Sequence, residues 1–130
     1  MAIIGVCGDD CTRCPRFIAT QSGDWSQLAG LAALWVRLGF RDALPEPEEL
    51  ACRGCTPSSP CAYADQRQCA LERHFSNCGE CVEYPCELAS RGLARSDVAA
   101  EHCRRMCSAE EWEVFRGAFF SKRENLGSRR

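Results

Sequence analysis

The chain has 130 residues and a formal net charge of −2, and twelve of its residues are cysteine. This length suits a single domain, because a chain of this size buries roughly two-thirds of its unfolded surface. The small negative charge creates no field that attracts nucleic acid. The longest apolar run, Leu31 to Val36, is too short to cross a bilayer. The composition therefore argues against nucleic-acid binding and against a membrane protein.

The start of the sequence has none of the features of a secretion signal. The stretch from Met1 to Val6 has no basic residue and too short an apolar run, and Cys7 follows at once. We therefore expect a cytoplasmic protein, in which clustered cysteines bind metal or take part in catalysis more often than they form disulfides. The residues specify neither the partner, a protein or a small molecule, nor the oligomeric state.

The first element along the chain is a group of three cysteines, Cys7, Cys11 and Cys14. The two-residue gap between Cys11 and Cys14 lets one tight turn present two sulfurs to one ion. The Cys-x3-Cys-x2-Cys spacing is also the one that radical-SAM enzymes use to hold an iron–sulfur cluster. Such enzymes need a large part of a barrel that takes at least about 200 residues when complete, so this short chain is not expected to perform radical chemistry.

A helix is predicted next, between Asp24 and Gly39. Asp24 and Gln27 form a capping-box-like start, apolar residues then recur at helical spacing, and Gly39 is a stop signal. Trp25 and Trp35 lie on its apolar stripe. Two tryptophans on one helical stripe are more often core residues than part of a cofactor site, so we expect both in the core.

The second cysteine pair lies in a stretch that is rich in turn-forming residues. A proline-punctuated connector, with one helical turn beginning at Pro47, leads into the segment from Cys52 to Pro60. This segment holds the pair Cys52 and Cys55 and has no apolar periodicity. Something other than a hydrophobic core must therefore order it.

The third pair follows a short helix and precedes another. A helical pattern over 65–74 carries Cys69, and the turn Cys78–Cys81 contains a glycine between its two cysteines. Pro85 stands where the first residue of a helix is expected, which places Cys86 in the first turn. The free N–H groups of a first turn would stabilise a thiolate at that position.

The last third of the chain is predicted to be helical and low in cysteine. Ser96 is a candidate cap for a helix that runs through Cys107, and Ser108 with Glu111 forms a capping box for a helix to about Lys122. An aromatic stripe at i, i+3 and i+7 should pack on the Trp25/Trp35 helix: Trp112, Phe115 and Phe119.

The cysteine motifs together resemble a known family. The resemblance is carried by CGDDCTRCP at 7–15, CRGC at 52–55, RQCA at 67–70 and CGECVEYPC at 78–86. They are similar to those of the prokaryotic cysteine-rich family that is filed as domain of unknown function number thirty-seven ninety-five. The resemblance implies metal binding, with no established activity to carry over. Many members have a further cysteine where this chain has Ala64, which implies a larger role for Cys61 here.

Ten cysteines are the candidate metal ligands: Cys7, Cys11, Cys14, Cys52, Cys55, Cys61, Cys69, Cys78, Cys81 and Cys86. A closed structural zinc site takes four cysteine or histidine ligands in a tetrahedron. Ten thiols therefore complete two sites with two left over. If Cys103 and Cys107 were also ligands, three ions would be accommodated, but at i, i+4 on a helix they are equally typical of small core residues.

One division of the ligands follows from their order in the chain. We hypothesise that Cys52 and Cys55 share one site with Cys61 and Cys69, because all four lie in one compact stretch. A second site would combine the three cysteines of 78–86 with one sulfur of the N-terminal group. The spacing does not say which N-terminal sulfur that is.

Two classes of function remain open at this point. In the first, zinc orders a binding, regulatory or adaptor module, with a folding contribution on the order of 10 kcal/mol per site. In the second, the cysteines serve an iron–sulfur or thiol-redox protein. No catalytic residue is predicted, and His74 and His102, the only histidines, are expected to be surface or capping residues. Enzyme activity is therefore not expected.

The fold predicted from these elements is a small, mainly α single domain with metal-bound Cys-x2-Cys knuckles. A cysteine-rich metal-binding lobe would span 7–86, and C-terminal helices over 96–124 would pack on it.

Overall fold

The computed structural model describes residues 3–56 and 61–127, so the last four residues of the turn-rich segment 52–60 lie outside the described residues. The protein is mainly helical, and its described residues form no strand, only a lone antiparallel bridge between Ile4 and Asp10. In these two segments the elements are, in chain order, α1 (Pro15–Ser22), α2 (Trp25–Arg37), α3 (Pro47–Leu50), α4 (Ala64–Glu72), a 3-10 turn (Cys78–Glu80), α5 (Glu87–Met106), α6 (Ala109–Phe119) and α7 (Lys122–Gly127). None of these helices is long and apolar enough to cross a membrane.

Helix α1 directly follows the first cysteine turn and was not expected from the sequence. Cys14 is its N-cap residue and Pro15 its first residue, a position where the missing N–H of proline costs nothing. Gly23, with a φ of 68°, ends the helix in the left-handed conformation. The short helix fixes the position of Cys14 relative to the core.

Helix α2 confirms the helix that was predicted between Asp24 and Gly39. The Asp24 carboxylate accepts a hydrogen bond from the Gln27 N–H at 3.0 Å, which caps the helix. The apolar face buries Leu28 and Leu31 against α1 and α3 in a core that also contains Ala19, Ala32, Leu50 and Ala51. This core holds the segment that leads to Cys52.

The aromatic stripe packs on α2 as expected, but through one tryptophan only. The Trp35 ring lies 5.5 Å from the Phe115 ring and 6.5 Å from the Phe119 ring, both edge to face. The prediction that Trp25 lies in the core is wrong, because 44% of its surface is exposed. Trp112 instead stacks on Phe120, at 5.7 Å.

Helix α5 differs from the prediction at two points. It begins at Glu87 with Cys86 as its N-cap, whereas Pro85 was expected to be its first residue. The Tyr84–Pro85 bond is cis. Ser96 does not start a helix, because it lies buried in the middle of α5, where its hydroxyl group bonds the Phe119 carbonyl at 3.5 Å. A local capping preference is lost when a serine lies within a continuous helix that packs on its neighbours.

Helices α6 and α7 return the chain to its N-terminal loop. The capping box of Ser108 and Glu111 is confirmed, with bonds of 3.1 and 2.9 Å. Helix α6 ends at Phe119 rather than near Lys122, which begins α7 instead. The carbonyl of Leu126 in α7 lies 2.3 Å from the point where a Gly79 Cβ would be, so only glycine fits beneath it.

Candidate functional site

The first cysteine turn is held by a short backbone loop over 3–14. The Cys11 N–H donates to the Ile3 carbonyl at 2.8 Å, and the Cys14 N–H donates to the Cys11 carbonyl at 3.2 Å. A bond between residues three apart closes a tight turn, and this turn keeps the two cysteines on one side of the loop. The sequence prediction of a turn that presents two neighbouring cysteines is therefore consistent with the backbone.

The second cysteine turn is tied to the first by contacts across 49 residues. The Val6 N–H donates to the Cys55 sulfur at 3.3 Å. The sulfurs of Cys55 and Cys11 lie 3.3 and 3.5 Å from the point where a Gly5 Cβ would be, so both lie against the same glycine. The Cys52 N–H donates to the Thr20 hydroxyl at 2.9 Å, which anchors the start of this turn on α1.

These two turns form what we call the first cysteine group: Cys11, Cys14, Cys52 and Cys55. All four line one cavity of about 250 Å³. Burial above all, and then the nearby Cys55, Cys14 and Cys52 in that order, raise the pKa of the Cys11 thiol to about 12. This mutual influence shows that the four thiols are electrostatic neighbours.

Two more cysteines line the same cavity beside a buried ion pair. Burial above all, and then the charge of Asp9, raises the pKa of Cys7 well above its usual value, and Cys61 adds to the effect. Asp9 accepts a hydrogen bond from the Nζ of Lys122, whose side chain is 4% exposed. Nζ also lies 4.7 Å from the centre of the Tyr63 ring. The C-terminal helix α7 thus supplies a charge to the cysteine-rich end of the cavity.

The second cysteine group is separate and consists of Cys69, Cys78, Cys81 and Cys86. Its members line a cavity of about 30 Å³ between α4, the 3-10 turn and the start of α5. Burial raises the pKa of Cys78, a hydrogen bond from Gln66 lowers it, and the neighbouring Cys86, Cys69 and Cys81 raise it. These four thiols are therefore neighbours, as in the first group.

Polar N–H groups point at the sulfurs of the second cysteine group. Gln66 Nε2 lies 3.5 Å from the Cys78 sulfur, and Arg73 Nη1 lies 3.1 Å from the Cys81 sulfur. The Ala89 N–H lies 3.5 Å from the sulfur of Cys86, the N-cap residue of α5. Hydrogen bonds of this kind stabilise negative charge on sulfur.

The structure divides the cysteines differently from the hypothesis made on chain order. Cys69 was grouped with Cys52 and Cys55, but it lines the other cavity, because α4 places it beside the 3-10 turn. The sulfur of Cys11 was a candidate partner of the third pair, but it lies beside Cys55 instead. Cys61 lines the same cavity as Cys52 and Cys55.

The described residues do not contain a preformed metal centre. Within 3–56 and 61–127, no three histidine, cysteine, aspartate or glutamate side chains converge as a group that could hold an ion. The two cysteine groups are sets of neighbouring thiols around cavities rather than closed coordination spheres.

The remaining cysteines and histidines lie outside both cysteine groups. Burial raises the pKa of Cys103 to about 12, and Cys107, four residues on, contributes through its charge and a hydrogen bond. Cys103 lines the large cavity from its apolar side. The ring of His102 bonds the carbonyl of Leu38, the C-cap residue of α2, which agrees with the predicted capping role. His74 is exposed.

The sequence did not identify Asp9, Tyr63 or Lys122 as part of a site. One signal was available, since Lys122 is the only lysine among sixteen basic residues. Lysine is unusual in such a chain, and its position becomes meaningful only when α7 packs on the N-terminal loop.

Comparison with known proteins places the chain in a family. No curated protein and no solved structure matches it. The family described as "Protein of unknown function (DUF3795)" matches residues 3–91, which contain both cysteine groups. The chain therefore belongs to the DUF3795 family, as the resemblance of its cysteine motifs implied.

Proposed function

We propose that the protein binds two zinc ions, one in each cysteine group, and acts as a binding, regulatory or adaptor module. The observation that carries this proposal is that thiols from separate segments line two cavities: the first cysteine group, together with Cys7, Cys61 and Cys103, lines one, and the second cysteine group lines the other. Four cysteines are the ligand set of a closed structural zinc site. On binding, rotation of the side chains would bring each set of four sulfurs onto its ion.

The surroundings of each cysteine group suit the charge of such a site. Zinc with four thiolates carries a net charge of about −2, which is costly to bury without compensation. Arg16, Arg67 and Lys122 line the cavity of the first cysteine group, and Arg73 approaches a sulfur of the second. N–H groups from Val6, Gln66 and Ala89 add hydrogen bonds to sulfur. These donors are the kind of partners that support metal ligands.

Zinc would also account for order in the stretch around Cys52. The second cysteine turn is joined to the N-terminal loop by the Val6 N–H bond to Cys55 and to α1 by the Cys52 bond to Thr20. A shared ion would join the two turns directly. Its binding would contribute on the order of 10 kcal/mol to folding.

The test is elemental analysis of protein purified without oxygen or chelators, together with its visible spectrum. We expect two zinc ions per chain, with no absorbance near about 400 nm. Iron with acid-labile sulfide and a broad band there would replace the zinc proposal with the iron–sulfur alternative. Absence of metal in stoichiometric amount would contradict both.

Paired variants assign each ion to its cysteine group. Cys52→Ser and Cys81→Ser are each expected to lose one zinc while the other remains, because the two cavities share no cysteine. Cys107→Ser is the matched control and is expected to keep both. If Cys81→Ser lost no zinc, or if Cys107→Ser lost one, the assignment of ligands to the two cysteine groups would be wrong.

A further inference from the structure

The large cavity has an aromatic end that the metal proposal does not use. Five aromatic rings that contact one another line this end: Trp35, Phe40, Phe115, Phe119 and Phe120. Ala99 and Cys103 of α5 complete this end. We propose that this end binds an uncharged aromatic molecule of one or two fused rings. This inference goes beyond the proposed function and does not depend on it.

The size of the cavity sets the size of the ligand. An apolar cavity of about 150 Å³ is enough to hold one benzene ring. The whole cavity, which includes the part lined by the first cysteine group, has about 250 Å³, so the aromatic end holds a ligand of one ring or at most two fused rings. Of the lining rings, Phe115 is 3% exposed and Phe40 is 41% exposed, so Phe40 is in contact with both the cavity and solvent.

The arrangement of the rings favours an aromatic occupant. Trp35 meets Phe40, Phe115 and Phe119 edge to face, with ring centres 5.5 to 6.5 Å apart. Rings in this arrangement offer both faces and edges to a further ring, which gains from offset or T-shaped contact beyond the burial of its area. A saturated ligand of equal size gains only the burial.

The charges at the other end of the cavity favour an uncharged ligand. Lys122 is already paired with Asp9 and also donates to the Phe119 carbonyl at 2.7 Å. Arg16 donates its Nε to the Leu50 carbonyl at 2.7 Å. Arg67 is the third cation of the lining. The aromatic rings themselves carry no counter-charge, so a charged group among them would lose its hydration without an ion pair.

The experiment compares four small probes that share a shape and differ in charge or aromaticity. They are benzyl alcohol, benzoate, benzylamine and cyclohexylmethanol, each titrated into the untreated full-length protein and followed by ligand-observed NMR. Benzyl alcohol is expected to bind saturably with a dissociation constant of about 1 mM or below. Cyclohexylmethanol should bind about threefold more weakly, and the two charged probes about tenfold more weakly or worse. Absence of saturable binding of benzyl alcohol, or tighter binding of benzoate, would overturn the proposal.

A pair of variants on one helix locates the binding. Ala99→Phe fills the aromatic end from α5 and should weaken benzyl alcohol binding at least about tenfold. Val98→Phe is the matched control, because Val98 is 73% exposed, and should bind as the wild type does. Equal binding by Ala99→Phe and the wild type would place the probe elsewhere.

A second readout remains decisive if Ala99→Phe fails to fold. In the wild type, benzyl alcohol should shift the indole N–H resonance of Trp35 and leave that of the exposed Trp25 unchanged. Phe40→Ala, which removes one of the lining rings, should weaken binding several-fold. A shift of Trp25 in place of Trp35 would contradict the assignment of the cavity.

Discussion

Replacement of Lys122 by methionine tests the buried ion pair with Asp9. The Lys122 side chain is 4% exposed and that of Asp9 is 23% exposed, so the pair is largely removed from water. Methionine fills a similar volume, and its main effect is therefore to leave the Asp9 carboxylate without a cation. Breaking a buried pair in this way costs about 3–5 kcal/mol. Because Asp9 keeps some exposure, we expect a loss near the lower end, about 3 kcal/mol.

Urea denaturation under reducing conditions, with metal content measured for every variant, gives the magnitude. With a slope of about 2 kcal/mol per molar urea, the midpoint should fall by about 1.5 M. Arg123→Met is the matched control, because Arg123 and Asp97 form a pair that is 57% and 56% exposed. This control should lose less than about 1 kcal/mol.

The pH dependence identifies the cause of the loss. Burial raises the pKa of Asp9, and the charge of Lys122 lowers it, so removal of Lys122 raises this pKa further. A buried carboxyl whose pKa is raised by folding becomes neutral as the pH falls through that value, and its penalty then disappears. The stability gap between Lys122→Met and the wild type should therefore narrow as the pH falls from about 7 to about 5.

The outcome that refutes this reasoning is a gap that stays constant with pH. The double variant Asp9→Asn with Lys122→Met provides a second check, because it removes both charges. It should recover at least half of the loss. If the double variant were no more stable than Lys122→Met, packing rather than charge would explain the effect.

Three further predictions concern the frame around the site. Gly79→Ala should destabilise the protein by about 1–3 kcal/mol, because its Cβ would lie 2.3 Å from the Leu126 carbonyl. Gly30→Ala in α2 is the control: its Cβ meets no atom within 4 Å, so it should stabilise the protein by about 0.5–1 kcal/mol. Urea midpoints compare the two variants. Ser108→Ala should cost about 1 kcal/mol through loss of the α6 cap, measured in the same way, and no loss would mean that the cap bond contributes nothing. Cys103, with a pKa of about 12, should be alkylated far more slowly at about pH 8 than an exposed cysteine; peptide mass spectrometry that found it among the first residues modified would contradict its burial.

Local signals in the sequence predicted the local structure well. The Asp24 cap, the Ser108 capping box and the helical turn at Pro47 all depend on residues within one turn of each other, and all three are present. The incorrect prediction of a helix start at Ser96, within α5, also came from a local signal. Ser96 has the local features of a cap, but the surrounding residues continue the helix, and its buried position is decided by packing on α6.

The sequence could not predict which cysteines share a group, for a physical reason. Spacing shows which cysteines share a turn, but not which turns meet in space. The Val6 bond to the Cys55 sulfur spans 49 residues. The turn at Cys78 is likewise joined to the N-terminal loop, through a 3.0 Å bond from its N–H to the Val6 carbonyl. Both contacts depend on the packing of the whole chain.

The contact of α7 with the N-terminal loop has a consequence for how the protein is made. During synthesis, Asp9 can form its ion pair only after Lys122, 113 residues further on, has been added. The Gly8 carbonyl can accept its hydrogen bond only after Asn125, 117 residues away, has been added. A ribosome that adds about 5–20 residues per second needs about 6–23 s to supply them. For the later part of that interval, the first cysteine turn is outside the exit tunnel without its buried ion pair. The thiols of this turn are then exposed to solvent and to oxidants until α7 packs on the N-terminal loop.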